Sequence, residues 1–189
     1  MLPSLIQFAG VNMFAFNQAV DFPINIASTT QQGACSGLSL HWIKKHKLEQ
    51  LQTFCASILT PSSIRDVENF QSSIDGFSDA AYIRFNNATG LNQGVEKDIS
   101  TALTAERISV VLGLTQGYEL ISFISGGSQH TIALARNGAE VDFFDPNYGC
   151  ARFNSRDNFR NWFTAEYWNV QSGPGNPGPC TRFMILSLT

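Results

Sequence analysis

The chain has 189 residues, of which 43% are hydrophobic and 12% aromatic, enough apolar material for one folded domain rather than a disordered or fibrous chain. Only 14% of the residues are charged and the formal net charge is −3, so a nucleic-acid partner is not indicated. No apolar run approaches the roughly 18 residues of a membrane-spanning helix, and we expect no transmembrane segment.

The beginning of the sequence carries little secondary-structure signal. Residues 1–32 combine apolar and neutral polar side chains without clear periodicity and are predicted to form an irregular lead-in. The first basic residue is Lys44, so the basic region of a secretory signal peptide is missing. Any secretion is therefore expected to use a route independent of a signal peptide. No repeat or long linker follows, which predicts a single domain over residues 1–189.

Helical patterns dominate the next hundred residues. The run CSGLSLHWIKKHK predicts a helix over 35–47, with apolar residues along one stripe and basic residues in its last turn. Three further helices are predicted over 48–59, from a cap at Ser62 or Ser63 through Phe70, and over 95–107.

Strand patterns dominate the remainder. YELISFIS, HTIALAR, EVDFF and RFMILSL are rich in β-branched and aromatic residues and are separated by Gly and Asn signals. One more helix is predicted over 156–168. Helices followed by strands indicate an α+β fold.

A hairpin prediction brings two polar residues together. Asn137-Gly138 between two strand patterns favours a two-residue type I′ turn, in which Arg136 pairs with Ala139. Counting outward, His130 falls opposite Asp145, with Cβ atoms about 4.5–5.5 Å apart, while Asp142 points to the other face. Alternatively, His130 and Asp145 are ordinary polar strand ends, since Asp-Pro-Asn is itself a common turn.

Cys35 is the candidate nucleophile. A thiol at the start of a helix meets unpaired backbone N–H groups and the positive end of the helix dipole, both of which favour thiolate. Gly33 and Gly37 are expected to leave the sulfur open to substrate. The alternative is an inert, buried cysteine, the role that we predict for Cys55.

The remaining cysteines and histidines are expected to have no catalytic role. Cys150 and Cys180 are assigned no chemistry, although four cysteines also allow two disulfides. The sequence contains no CxxC pair of the kind found in metal sites, and we predict neither a metal nor a cofactor. His41 lies about 9 Å along the helix from Cys35 and on another side, out of its reach. His46, among lysines, is expected to be a solvated residue at the helix end.

These positions together predict a thiol nucleophile with an imidazole base and an orienting carboxylate: Cys35, His130 and Asp145. The oxyanion of an acyl-transfer intermediate would be bound by the backbone N–H of Cys35 and one upstream side chain. Thr30, Gln31 and Gln32 are the candidates for that side chain, and their spacing does not choose among them.

The segments around these residues resemble the YopT/AvrPphB family of bacterial effector cysteine proteases. GACSGLSLHWI surrounds Cys35, SQHTIAL surrounds His130, VDFFDPNYG surrounds Asp145, and FRNWFTAEYW follows, so that the resemblance spans roughly residues 33–168. It implies a papain-like fold with these three residues as catalytic triad. Thr30 occupies the family's oxyanion position, with Gln31 as a shifted substitute.

The resemblance also implies virulence: delivery by a bacterial secretion machine into a eukaryotic cell, where a host signalling protein is cut. The sequence thus predicts a thiol protease with a host protein as substrate. A glutamine deamidase or transglutaminase with the same triad is the alternative, because the thiol chemistry is shared. A third hypothesis is a non-enzymatic binding module in which Cys35 and His130 merely pack. No oligomeric state is predicted.

Overall fold

The computed structural model describes residues 5–22, 34–74, 86–87, 89–99, 104–113, 116–125, 128–168 and 180–189. The helices in these ranges are α1 (Gln18–Asp21), α2 (Cys35–Lys47), α3 (Phe54–Ser57), α4 (Pro61–Ile74), α5 (Ala105–Val111) and α6 (Arg156–Trp162), which continues as a π-helical turn (Phe163–Tyr167). Short 3-10 turns cover Ile6–Phe8 and Leu51–Thr53. No helix in the described ranges is long and apolar enough to cross a membrane.

The strands form one seven-stranded sheet in the order β1-β6-β5-β4-β3-β7-β2, and the recorded pairings are antiparallel. They are β1 (Gly10–Phe14), β2 (Gln93–Ile99), β3 (Gly117–Ser125), β4 (Ser128–Asn137), β5 (Glu140–Asp145), β6 (Gly149–Phe153) and β7 (Cys180–Leu188). Helices together with an antiparallel sheet confirm the predicted α+β class.

Two apolar cores lie on opposite faces of the sheet. On one face, α2 and α3 pack Trp42 and Phe54 against Phe144, and residues of α4 join the same core. On the other face, α6 packs Trp162 against Phe143. Successive strand residues point to opposite faces, which explains why β5 needs two adjacent phenylalanines. The central strands are therefore buried on both sides and form a rigid support for side chains at their ends.

The β4–β5 hairpin forms with a different turn from the predicted one. Asn137 pairs with Glu140, so Gly138 and Ala139 form the loop, and Gly138 alone of these two has a positive φ, +63°. This pattern fits a type II′ turn rather than type I′. The side chain of Gln116 explains the difference, because it accepts from the Gly138 N–H (3.1 Å) and donates to its carbonyl (3.3 Å). Arg136 consequently pairs with Val141, not Ala139.

The predicted helix over 95–107 was wrong. Residues 93–99 form β2, which pairs with β7 at the edge of the sheet, and the helix starts only at Ala105, after Thr104. The Thr104 side chain accepts a hydrogen bond from the Arg107 N–H, which fixes the helix start. The apolar β7 needed an antiparallel partner on its free side, and the helical propensity of a few charged residues does not outweigh that pairing.

Other local predictions need smaller corrections. Residues 48–59 form two short helical pieces instead of one helix, because Glu49 takes a positive φ of 57° and ends α2. Thr60, and neither Ser62 nor Ser63, caps α4: its hydroxyl oxygen accepts from the Ser63 N–H, and Pro61 follows as the first helical residue.

The predicted irregular lead-in over 1–32 is partly regular. Within the described residues 5–22 it contains β1, which pairs with β6, and α1. The Gln18 N–H donates to the carbonyl of Pro146 at 2.7 Å, and its side-chain amide donates to Asn147 at 2.8 Å. The segment therefore packs against the turn that follows Asp145. The single domain over 1–189 stays a prediction.

Candidate active site

Cys35 is the first residue of α2, as predicted, and its residue exposure is only 4%. Two serines tie this end of the helix to β4: the Ser36 hydroxyl lies 2.7 Å from that of Thr131, and the Ser39 hydroxyl donates to the Thr131 carbonyl at 3.0 Å. Thr131 is the neighbour of His130. These buried contacts fix the thiol relative to the histidine.

Gly37 has a different role from the one expected. A Cβ at this position would lie 2.3 Å from the carbonyl oxygen of Val67 in α4, too close for any side chain. The Gly37 N–H also donates to the Gln71 side chain at 2.9 Å. Gly37 therefore allows α2 and α4 to pack closely and does not serve to open the sulfur to substrate. Gly33 lies outside the described residues.

His130 contacts both of its predicted partners. Its Nε2 lies 2.9 Å from Oδ1 of Asp145, and its ring lies close enough to the Cys35 side chain for each group to shift the pKa of the other. Since Nε2 is engaged by the carboxylate, Nδ1 is the nitrogen left for the thiol. The Phe123 ring packs edge-on against the imidazole, with centroids 5.4 Å apart. The structure thus places the thiol beside an imidazole that is hydrogen-bonded to a carboxylate.

The geometry of this pair differs in one respect from the prediction. The last recorded β4–β5 pair is Ala133 with Phe144, which places His130 and Asp145 diagonally rather than directly opposite. Shifting the turn by one residue moves the register by two, so the two residues still share a face. A diagonal neighbour remains within reach of an imidazole. Asp142 lies on the other face, as predicted, but its partner there is Ala135, because the register is shifted by two.

The charges at this site favour a thiolate. Burial of Cys35 would raise the pKa of its thiol, but the hydrogen bond and positive charge of His130 outweigh burial, and the pKa is lowered. Burial likewise opposes protonation of His130, yet the adjacent Asp145 carboxylate and the Cys35 thiolate raise the pKa of His130 to about 10. The arrangement is therefore an imidazolium–thiolate pair near neutral pH.

Asp145 is fixed on both oxygens. Oδ1 accepts from the Asn147 N–H at 2.7 Å as well as from His130, and Oδ2 accepts from the Tyr167 hydroxyl. The Asn147 contact is an ordinary Asx turn, so the Asp-Pro-Asn turn and the His130 partner use the same oxygen. Sequence reasoning missed Tyr167. Its position in the FRNWFTAEYW segment was the available signal.

The other two histidines also contact aspartates. Buried His41 has its Nδ1 3.5 Å from Asp66. The expectation that His46 is solvated was wrong: it is half-buried, with Nε2 2.9 Å from Asp142 and Nδ1 3.1 Å from the Tyr118 hydroxyl. The cause is Asp142, a buried carboxylate that needs donors and meets the last turn of α2.

All four cysteines are free. Cys55 is exposed rather than packed in an apolar stripe, because α3 is too short to bury it, whereas Cys150 is buried in β6. Burial raises the pKa of Cys55, Cys150 and Cys180 alike. Cys35 therefore differs from the other three thiols in the direction of its pKa shift.

The candidate oxyanion residues Thr30, Gln31 and Gln32 lie outside the described residues. In the part of the chain that the structure describes, no group of three or more His, Cys, Asp or Glu side chains is arranged to hold a metal ion.

Comparisons with known proteins identify relatives. Residues 86–188, more than half of the chain, match the family model Peptidase_C58, described as "Yersinia/Haemophilus virulence surface antigen". Cysteine protease YopT of Yersinia pseudotuberculosis is 26% identical over 186 residues, covering 85% of this chain and 58% of that protein. Protein adenylyltransferase and cysteine protease IbpA of Histophilus somni is 25% identical, covering 91% of this chain and 5% of that protein.

The fold has a counterpart among solved structures. The crystal structure of the Pseudomonas avirulence protein AvrPphB superposes with a TM-score of 0.61 at 16% identity, covering 97% of this chain and 100% of that one. At this identity the match shows the fold, which is the predicted papain-like one. The present chain spans a little over half the length of YopT. By the family match over residues 86–188, the chain belongs to the C58 cysteine peptidases, the family of YopT and AvrPphB.

Proposed function

We propose that this chain is a thiol protease with Cys35 as nucleophile, His130 as general base and acid, and Asp145 as the group that orients His130. The observation that carries the proposal is the hydrogen bond between His130 and Asp145, whose two carboxylate oxygens are both fixed, beside a Cys35 thiol whose pKa His130 lowers. Its membership of a cysteine peptidase family supports the same reaction.

The reaction begins with the proton of Cys35 already on His130. The thiolate attacks the carbonyl carbon of the scissile peptide, forming a C–S bond and moving an electron pair to the carbonyl oxygen. The Cys35 N–H at the start of α2 is one donor for this oxyanion, and Thr30 or Gln31 is proposed as the other.

The intermediate then breaks down in two stages. The C–N bond breaks while His130 returns its proton to the leaving amine, and an acyl thioester remains on Cys35. Water, deprotonated by His130, attacks this thioester, and its collapse releases the acid product and the Cys35 thiolate. Asp145 stays ionised throughout and stabilises the imidazolium.

The proposed substrate is a host protein, and the proposed site of action is a host cell. The virulence named in the family's description supports this proposal. A glutamine deamidase or transglutaminase would use the same Cys35 thiolate, but the peptidase family favours cleavage of the backbone.

The test compares the unmodified chain with Cys35→Ala in a eukaryotic cell lysate, and Cys55→Ala serves as the matched control because this thiol is exposed and its pKa is raised rather than lowered. We expect new protein N-termini, read by mass spectrometry, with the unmodified chain and with Cys55→Ala but not with Cys35→Ala. The same new N-termini with Cys35→Ala would overturn the proposal. So would a target that exchanges amide nitrogen for oxygen, or becomes crosslinked, without being cut.

A further inference from the structure

Tyr167 lies at the end of the π-helical turn that extends α6, and only 1% of the residue is exposed. Its hydroxyl donates to Oδ2 of Asp145, the carboxylate oxygen that does not face His130. Single π-helical turns are rare and are frequently found at functional sites. The hydroxyl thus reaches Asp145 from the layer opposite the one that supplies Cys35.

The ring of Tyr167 is held by neighbouring aromatic side chains. Its centroid lies 4.9 Å from that of Phe143, 5.4 Å from Trp162 and 5.3 Å from Phe163. The contact with Phe143 is edge-on, at an interplanar angle of 75°. A ring packed on several sides has little freedom to rotate away, so its hydroxyl is a preorganised donor.

We propose that Tyr167 is a positioning residue for the triad: its hydroxyl holds Oδ2 of Asp145 so that Oδ1 stays directed at His130. This inference rests on the function proposed above. Asp145 is fully buried, and the donors recorded for it are His130, the Asn147 N–H and the Tyr167 hydroxyl. Without Tyr167, a buried charged oxygen loses its donor, and the carboxylate turns or binds water instead.

The protonation state of Tyr167 is suited to this role. Burial, together with the negative charge of Asp145, raises the pKa of Tyr167 well above its ordinary value. The phenol therefore keeps its proton through the whole working range of a cysteine protease and always acts as the donor. A hydrogen bond from a neutral donor orients the carboxylate without cancelling the negative charge that His130 needs.

The test uses Tyr167→Phe, with Tyr118→Phe as the matched control. Tyr118 also donates or accepts one hydroxyl hydrogen bond beside a histidine–aspartate pair, but at His46, away from Cys35. The readout is the rate at which iodoacetamide alkylates Cys35 as a function of pH, measured on the Cys35 peptide by mass spectrometry. This readout needs no substrate.

We expect Tyr167→Phe to slow alkylation of Cys35 at pH 7 by about tenfold and to move the acidic limb of the profile to higher pH. Tyr118→Phe should leave the profile in place, although it lowers the melting temperature. As a second variant, 3-fluorotyrosine at position 167, a stronger donor of nearly the same size, should move the acidic limb to lower pH.

Two results would overturn the inference, and they are distinguishable. If the unmodified chain alkylates Cys35 rapidly but both substitutions at Tyr167 leave the acidic limb unmoved, the positioning role is wrong and the proposed function stands. If the unmodified chain alkylates Cys35 no faster than Cys55, the proposed function fails and the positioning role fails with it.

Discussion

Each end of α2 lies beside a histidine–aspartate pair, but we propose an active site at only one of these ends. At the first residue of the helix, Cys35 faces the pair of His130 and Asp145; in its last turn, His46 pairs with Asp142. Both pairs have a nitrogen–oxygen distance of 2.9 Å. The two ends lie about 16 Å apart along the helix. A histidine–aspartate pair alone therefore does not define an active site.

The difference lies in the other partners of each pair. Arg152 binds both oxygens of Asp142 at 2.6 Å, so a permanent positive charge balances that carboxylate. The other recorded donors to Asp145 are the Asn147 N–H and the Tyr167 hydroxyl, which are both neutral. Of these partners, only His130 can balance the negative charge of Asp145. Nδ1 of His46 lies beside the hydroxyl of Tyr118, and burial together with Asp142 raises the pKa of Tyr118 to about 12. The second nitrogen of His130 instead faces the thiol of Cys35. The end of α2 proposed as the active site therefore differs in two respects: the other recorded donors to its carboxylate are neutral, and its histidine lies beside a thiol.

The largest expected effect comes from removing the two imidazoles in turn. His130→Gln should lower kcat/KM by a factor on the order of 10⁶, because neither the thiolate nor the acid for the leaving amine then forms. His46→Gln should leave kcat/KM within about threefold, since this imidazole only bridges side chains. Peptide cleavage by the two purified variants is the measurement. Comparable losses in both would mean that the two ends of α2 do not differ in the way described.

Substitution of the two carboxylates should show the same contrast between the two ends of α2, with a smaller difference in turnover. Asp145→Asn should lower kcat by about 10⁴-fold, through the wrong imidazole tautomer and the loss of imidazolium stabilisation. Asp142→Asn should instead lower the free energy of unfolding by about 1–3 kcal/mol, near the low end because Arg152 is 43% exposed and its charge is screened. Turnover and urea unfolding of both variants test this. A large loss of turnover in Asp142→Asn would contradict it.

The thiols offer a comparison that needs no substitution. Cys35 is buried and Cys55 is exposed, but the pKa of Cys35 is lowered and that of Cys55 is raised. At pH 7 we expect iodoacetamide to alkylate Cys35 at least about tenfold faster than Cys55, because the thiolate is the reacting species. The Cys35 rate should fall towards acid pH and persist towards pH 10, where His130 loses its proton. Faster reaction of the exposed Cys55 would show that accessibility, and not charge, controls these thiols.

The sequence was informative about the catalytic end of α2 because several cues there are local. A helix start places Cys35, and the alternation along β4 and β5 places His130 and Asp145 on one face. The approach of the thiol to an imidazole 95 residues later was predicted only from the chemistry of these residue types and from the resemblance. Even an error in the turn did no harm, since a shift of two in register preserves which residues share a face.

The rest depended on contacts that local patterns do not encode. The His46 pair requires knowing that β5 passes the end of α2, and Tyr167 requires knowing how α6 lies on the sheet. The edge strand β2 was mistaken for a helix because its partner, β7, lies more than 80 residues later. Such long-range pairings override weak local propensity.

The smallest expected effect concerns stability, and it uses the third histidine–aspartate pair as the reference. Burial lowers the pKa of His41 although Asp66 opposes the shift, so below pH 6.5 the unfolded chain binds a proton that the folded chain does not. Stability should therefore fall as the pH drops from 6.5 towards the folded-state pKa. His130 has the opposite sign, since its pKa is raised, but the lowered pKa of Cys35 offsets this contribution near neutral pH. There the folded pair and the unfolded chain each hold one proton on these two groups, so His41 is the cleaner test.

His41→Leu removes a group that cannot be protonated without cost and replaces it with an apolar side chain of similar size. The loss of unfolding free energy between pH 7.5 and pH 5 should be smaller by about 1 kcal/mol in His41→Leu than in the unmodified chain. Urea unfolding across this pH range measures this difference. Equal acid sensitivity in His41→Leu and the unmodified chain would mean that His41 is not the buried base that opposes protonation. In that case His41 would not differ from His130 in the direction in which folding shifts its pKa.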